Sequence, residues 1–522
     1  MTIHVSTPEI VPAGAPFSEA QRKWLNTFFF EALLKTQPAA PVAPAEDTTT
    51  PWKDPALAIE ERMELAADRP LKQRMMAAVA QQDCGQCGYN CANYALAIFE
   101  QAEPRLNLCV PGGKATARIL KGLVEEMGGG VIDPEETAMK AAPTPAPEEG
   151  PAPGYSRGHP VKARFAGRRR LNGEASEKTT MHIEIDIAQS GIEYRAGDSL
   201  GVFPHNPPEL VDAVMAAIDV PADFPIAGKP LRDVLIEDTS LGTAPDALFQ
   251  FISYLTGGER RKKAQALARG EDPDGDAETL DVLAALEKFP GIRPDPEALI
   301  EVLEPMQPRL YSISSSPRTR AGRVTLTVDM VRYAIDGRTR HGTASTWLDE
   351  RCEDGAELLV YVQRAHGFCL PEQGDTPIIM VGPGTGVAPF RAFLEERKAL
   401  GAKGGAWLFY GHQREATDFF YADELAAHRE CGALTELSLA WSRDGAQKVY
   451  VQDRMRERGA ELYEWLAAGA HFYVCGDAKR MARDVETALT EIAAAYGKMG
   501  GDEARAYIAA LKAEGRYQAD VY

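Results

Sequence analysis

Pro377–Leu400 reads PIIMVGPGTGVAPFRAFLEERKAL. An apolar run of strand length, a glycine-rich turn and an amphipathic helix follow one another here. That order marks a strand covered on both faces and leading into a crossover helix. The unit recurs downstream: AWLFYG (406–411), LTELSLAW (434–441) and HFYVCG (471–476) each precede a helical stretch. Residues 376–522 are therefore expected to form a doubly wound parallel sheet. Gly384, Thr385 and Gly386 of the turn permit a phosphate to approach the helix N-terminus, although a lone loop of this kind also fits a plain tight turn. Ser442 and Arg443 close the third strand, and Lys448, Val449, Tyr450, Val451 and Gln452 follow. Two cations, a hydroxyl and an aromatic ring suit a 2′-phosphate with adenine. No carboxylate stands at that strand end for a bare ribose 2′-hydroxyl, so the pattern selects NADPH over NADH. The plainer reading is that Arg443 and Lys448 merely balance an acidic protein.

Upstream the pattern changes. Met181–Ala188 (MHIEIDIA), Val324–Tyr333 and Leu358–Gln363 alternate apolar and polar residues as half-buried strands do, which predicts a small antiparallel barrel over 155–375. Helix-period segments at about 208–303 interrupt it: PELVDAVMAAI, DALFQFISYL, TLDVLAALEKF and PEALIEVL. Arg309, Leu310, Tyr311 and Ser312 open the run RLYSISSSP. An arginine can pair with a pyrophosphate, a tyrosine can stack on a flavin and a serine can reach a ring atom, although the tetrapeptide alone is a weak signal. Gly342, Thr343, Ala344 and Ser345 form a small-residue turn before a helix, with free amides to offer phosphate.

Two proline-rich stretches, Gln37–Glu46 and Ala141–Pro153, read as linkers. They give segments of 1–46 (an amphipathic helix over Phe17–Leu34, then linker), 47–140, and a linker at 141–154. The middle segment holds Cys84, Cys87, Cys91 and Cys109 in DCGQCGYNC and LNLCVPGG. Three close thiols and a distant fourth suit a cubane iron–sulfur cluster, with Gly85 and Gly88 allowing a tight loop around it. A structural zinc site and unligated thiols are the alternatives. Eight cysteines in 522 residues are too few for a disulfide scaffold. The net charge of −19 disfavours nucleic acid, no apolar run reaches the ~18 residues of a membrane span, and the N-terminus lacks the features of a secretory signal. A cytoplasmic enzyme is expected.

The run CGQCGYNCANYALAI with LNLCVPGGK resembles the four-cysteine 4Fe–4S domain of Rnf-type electron-transport complexes. RLYSISSSP, TVDMVRYAIDGRTRHGTAS, PGTGVAPFRAFLEER, LAWSRDGAQKVYVQDRM, FYVCGDAKRMARDVE and RYQADVY closely resemble the reductase half of NADPH-dependent diflavin reductases, notably the flavoprotein (alpha) component of sulfite reductase, over about residues 155–522. The resemblance implies a multidomain α+β and α/β chain: a ferredoxin–NADP+ reductase-type FAD barrel with a helical insertion, an NADP domain, and here a small iron–sulfur domain. It implies FAD contacts from Arg309, Leu310, Tyr311, Ser312, Thr327, Val328, Asp329, Tyr333 and Gly342 to Ser345. It implies NADPH contacts from Ser442, Arg443, Lys448 to Gln452, and Asp484. Ser312, Cys475 and Asp520 match the polar trio beside the reacting rings, and Tyr522 matches the aromatic that covers the flavin. The cysteine segment stands where such proteins carry a flavodoxin domain, so FMN is not expected. The implied partner is the sirohaem subunit of assimilatory sulfite reductase, and a nitrate- or nitrite-assimilating reductase is the alternative.

Overall fold

The alternating stretch after Lys178 becomes the strand its pattern dictates. In the computed structural model, which describes residues 51–127 and 152–522 apart from Ala56, Asp83, Cys84, Gln86, Asp336, His366 and Lys479, β1 (Val161–Arg170), β2 (Thr180–Asp186), β3 (Ser199–Val202), β4 (Arg309–Ser312), β5 (Arg323–Asp329) and β8 (Glu357–Gln363) form one antiparallel sheet in the order β4-β3-β8-β1-β2-β5. An antiparallel bridge, Ile313 to Leu326, joins its two ends and closes the barrel. Ile183, Ile185, Leu200, Val202, Val324, Leu326, Val360 and Val362 fill the interior. The expected strand Val324–Tyr333 is broken. Lys178 and Thr180 hold the Asp329 carboxylate at 3.2 and 3.1 Å. The chain leaves the sheet there and forms a separate hairpin of β6 (Arg332–Ile335) and β7 (Arg338–His341).

The insertion carries the four expected helices, Pro208–Ile218, Asp246–Leu255, Val282–Lys288 and Pro296–Val302, and a fifth, Gly258–Ala268. They share a core of their own around Leu248, Ile252 and Leu286. The second sheet is parallel throughout: β9 (Ile378–Val381), β10 (Ala406–His412), β11 (Glu436–Trp441), β12 (His471–Gly476) and β13 (Tyr517–Val521), in the order β11-β10-β9-β12-β13. Ile379, Trp407 and Phe472 pack on one face, Met380, Leu408 and Tyr473 on the other. The continuous apolar runs are thus explained by burial on both sides.

The cysteine segment is helical, with α1 (Ile59–Leu65), α2 (Leu71–Ala78), α3 (Cys91–Phe99) and α4 (Gly113–Glu126) around Tyr94, Ile98 and Leu120. Residues Pro55–Tyr522 form one compact unit; of Met1–Asp54 the described residues are 51–54, which open with the 3-10 turn Pro51–Lys53. The expected helix Phe17–Leu34, the first linker, Cys84 and the second linker up to Pro151 lie outside the described residues. Among the described residues no helix is long and apolar enough to cross a membrane.

His182 on β2 is buried between the two sheets, hydrogen-bonded to the Tyr421 hydroxyl at 3.1 Å, with Glu184 at 3.5 Å. Burial, with Arg391, Arg169 and Arg320 nearby, pushes its pKa down to about 3. The unfolded chain therefore takes up a proton below about pH 6.5 that the folded chain refuses, so stability falls as the pH drops through this window. By about pH 5 the loss from this residue amounts to about 2 kcal/mol. Denaturant titrations across pH should show this difference between the parent and His182→Gln; parallel curves would refute it.

Candidate active site

A chain that runs β9, β10, β11 outward and then returns to β12 beside β9 leaves a crevice at the carboxyl ends of these strands. The structure has a cavity of about 700 Å³ there, walled by Gly384 and Thr385 after β9, His412 at the end of β10, Ser442 after β11, Gly476 after β12 and Tyr522 after β13. Gly386 is required by contact: a Cβ at this position would sit 2.2 Å from the Cys475 carbonyl oxygen.

Register brings Cys475 on β12 level with Asp520 on β13. Ser312, from the end of β4 in the barrel, donates to Asp520 Oδ2 at 2.5 Å, and Cys475 Sγ lies 3.7 Å from the same oxygen. The trio is assembled from both sheets. Burial raises the pKa of the Asp520 carboxyl, against the hydrogen bonds from Ser312 and Cys475. Burial, reinforced by Asp520, pushes the Cys475 thiol well up. The Cys475 side chain is thus a neutral thiol. Tyr522, half-exposed, is pinned beside the trio: its hydroxyl meets Thr385 Oγ1 at 2.9 Å and its amide donates to the Gly476 carbonyl at 3.0 Å.

Arg309 is half-buried, and among the described residues its guanidinium reaches only the carbonyls of Gln307 and Pro308, each at 3.4 Å. Burial lowers its pKa. A cation so poorly matched fits an anionic group such as a pyrophosphate. Tyr311 packs against the barrel core, with Leu310 beside it on β4. Gly342 precedes the helical turn Thr343–Thr346, and the buried Ser345 hydroxyl accepts from the Val331 amide at 3.2 Å. The exposed Tyr333 and the half-buried Thr343 line a separate cleft of about 560 Å³ against the helical insertion. Thr327 and Val328 line neither space: the Thr327 hydroxyl bonds Tyr421 at 2.8 Å and Val328 lies in the barrel core.

Val449, Tyr450, Val451, Gln452 and Asp484 do line the large cavity, with Gln452 Nε2 donating to Asp484 at 3.3 Å. Arg443 and Lys448 are exposed outside its wall, and Arg443 pairs with Glu177. Lys178, His412 and Arg480 were not anticipated from the sequence, yet all three line it. Arg480 carried a signal, standing four residues after Gly476 in a glycine-containing turn. Burial keeps His412 below the usual imidazole range.

Comparison with known proteins places this geometry. Residues 154–285 and 275–347 match a model described as FAD binding domain, and 380–487 one described as Oxidoreductase NAD-binding domain. The Sulfite reductase [NADPH] flavoprotein alpha-component of Bacillus subtilis (strain 168) is 40% identical over 418 residues, covering 79% of this chain and 68% of that protein. The chain belongs to the sulfite reductase flavoprotein alpha-component family. Members from Klebsiella pneumoniae and Escherichia coli O157:H7 are 42% and 41% identical over 378 and 405 residues, covering 70% and 74% of this chain. The chain spans 62% and 66% of their respective lengths. Membership makes it an NADPH oxidoreductase with FAD- and NAD-binding domains of the ferredoxin–NADP+ reductase type.

The FAD-binding match begins at residue 154, after the cysteine segment, and the NAD-binding match at 380. There Cys87, Cys91 and Cys109 line one small void of about 10 Å³ with Gly85, Tyr89 and Tyr94. Asn90 caps α3 by accepting from the Asn93 amide at 2.7 Å and so fixes Cys91 at the first turn. Burial raises the pKa of the Cys87 and Cys109 thiols. Among the described residues no group of three or more His, Cys, Asp or Glu is arranged as a metal site; the fourth expected ligand, Cys84, lies outside them. Cys352 is buried, and Cys369 and Cys431 are exposed elsewhere.

Proposed function

We propose that this member of the family draws electrons from NADPH through FAD and an iron–sulfur cluster on Cys84, Cys87, Cys91 and Cys109, and delivers them to the sirohaem subunit of an assimilatory sulfite reductase. The observation that carries the flavin part is the Ser312–Asp520–Cys475 trio, built across two sheets. FAD, when bound, takes up a two-electron hydride and releases electrons singly. Arg309 and the Gly342–Ser345 turn hold its phosphates, Tyr311 and Ser312 its ring, and Tyr333 and Asp329 flank it. Ser312 orients the Asp520 carboxylate, which faces the positive charge that grows on a nicotinamide as it gives up hydride. Cys475, a neutral buried thiol, fills the floor beside it. Tyr522 covers the ring and moves aside to admit the nicotinamide; its exposure and two polar tethers suit a displaceable cover. Cys87, Cys91 and Cys109, which line one void, would supply three of the cluster's ligands and Cys84 the fourth.

An electron paramagnetic resonance spectrum of anaerobically purified protein, recorded after adding NADPH, tests the relay. A reduced-cubane signal, with iron by metal analysis, is expected. Flavin reduction in a protein that contains zinc or no metal would end the cluster reading.

Arg443 and Lys448 are assigned to the 2′-phosphate, with Ser442, Tyr450 and Gln452 toward the adenosine and Asp484 bracing Gln452. The Arg443–Glu177 pair is exposed, so a phosphate can displace Glu177 at low cost. Arg443→Ala should lower kcat/KM for NADPH about 10- to 100-fold, with kcat/KM for NADH unchanged. Equal losses with both nucleotides would remove the assignment.

A further inference from the structure

The cysteine segment touches the barrel at a telling place. A Cβ at Gly85 would lie 2.7 Å from the Gln363 side chain, and one at Gly88 would lie 3.8 Å from Arg157 Cδ. Gln363 ends β8. Its register partner is Ser199 on β3, whose own partner on the next strand is Ser312. Residues paired in register project from the same face of a sheet. Gln363, Ser199 and Ser312 thus form one row on one face, about 10 Å from end to end at a strand spacing of about 4.8 Å. The loop bearing Cys87 rests on one end of the row, and the trio of the active site stands at the other. In the adjacent row the Tyr361 ring lies over Gly201, where a Cβ would come within 2.1 Å of it. Tyr361 is fully buried on this face. Arg157, whose Cδ lies beside Gly88 of this loop, also donates from Nη2 to Gln307 Oε1 at 2.8 Å, two residues before Arg309.

Two further anchors hold the segment. Arg118 on α4 makes a two-pronged pair with Asp246 at 3.0 and 2.9 Å, and Asn107 donates to Glu304 at 3.2 Å. The contacts therefore reach both the barrel and the helical insertion.

We infer that the cysteine loop is a fixed electron-transfer contact on the barrel, with Gln363 as its seat and Arg157 as its positioning residue, so that electrons pass from flavin to cluster within one chain and without a swinging domain. The inference rests on the iron–sulfur reading above. NADPH supplies the hydride. Reduced FAD then returns to its oxidised form by giving one electron to the cluster in each of two steps and one proton to solvent; the cluster passes on the first electron before it takes the second. Tunnelling falls steeply with distance, so a row this short favours a docked module over a mobile one.

The test uses the full-length holoprotein with p-benzoylphenylalanine in place of Gln363. Irradiation should join it to the 85–91 loop of the same chain, before and after NADPH is added, as read by peptide mass spectrometry. In Arg157→Glu, freeze-quench paramagnetic resonance should show cluster reduction slowed at least tenfold (about 1.4 kcal/mol), while FAD content and the rate of flavin bleaching by NADPH stay at parent values. Arg157→Lys should recover most of the rate. No cross-link to 85–91, a cross-link lost on reduction, or an unslowed cluster in Arg157→Glu would each overturn the inference. Absence of iron would sink the cluster reading and this inference together, whereas iron with no cross-link sinks the inference alone.

Discussion

Asp520→Asn should reduce the single-turnover rate of flavin reduction by NADPH on the order of 10²-fold, the usual cost of removing one preorganised electrostatic partner from a reacting site. Asparagine keeps the shape and still accepts from Ser312, so the change is confined to charge. FAD content should stay at the parent level, because Asp520 belongs to β13 of the parallel sheet and not to the barrel. The pH profile supplies a second readout. Burial raises the Asp520 pKa, so the rate in the parent should fall as acid protonates this carboxylate, and that acid limb should vanish in the variant. Asp520→Ala should be worse, since it leaves the Ser312 hydroxyl without its 2.5 Å acceptor. A variant with parent rates and a parent pH profile would remove Asp520 from the chemistry.

The parts of this molecule that were legible in sequence are those whose burial is uniform. PIIMV, AWLFYG and HFYVCG are apolar throughout because helices cover both faces, and each becomes a parallel strand. β13 escaped notice because YQADV holds one buried residue, Tyr517, and pairs along a single edge with β12. The helix Gly258–Ala268 was missed for a related reason, since GERRKKAQALA has almost no apolar stripe. The strand Val324–Tyr333 was drawn too long because alternation continues past Asp329 while the carboxylate, held by Lys178 and Thr180, turns the chain away. The trio is a different case. Ser312 and Asp520 are 208 residues apart, and no local pattern joins them; only a family resemblance carried across residue by residue did. That same carry-over implies flavin contacts from Thr327 and Val328, whose side chains are engaged with Tyr421 and the core.

Arg391 shows what lies beyond a motif. It lies in the run APFRAFLEERKAL on the helix Ala388–Leu400 and is one of the largest fully buried side chains among the described residues, 2% exposed. Its guanidinium donates to the Ser314 carbonyl at 2.6 Å, pairs with Glu424 at 2.6 Å and Glu395 at 3.0 Å, and stacks 4.9 Å from the Tyr421 ring centre. Glu395 in turn accepts from the Ser316 amide at 2.8 Å and the Thr319 hydroxyl at 2.9 Å. A helix of the parallel domain thereby grips the barrel segment 314–319, two residues past Ser312. Arg391→Met should cost about 3 kcal/mol, because it removes the buried cation shared by Glu395, Glu424 and the Ser314 carbonyl and leaves Glu395 only the longer contact with Arg320 at 3.5 Å. The loss will appear as a lower unfolding midpoint and faster unfolding, the appropriate measures for a chain of several domains. Arg391→Lys, which keeps charge but cannot reach Ser314, Glu395 and Glu424 together, should fall between. The clamp grips the barrel chain two residues past Ser312, so in folded Arg391→Lys hydride transfer should slow with FAD still bound. Unfolding indistinguishable from the parent in Arg391→Met would mean that the two domains are held together elsewhere.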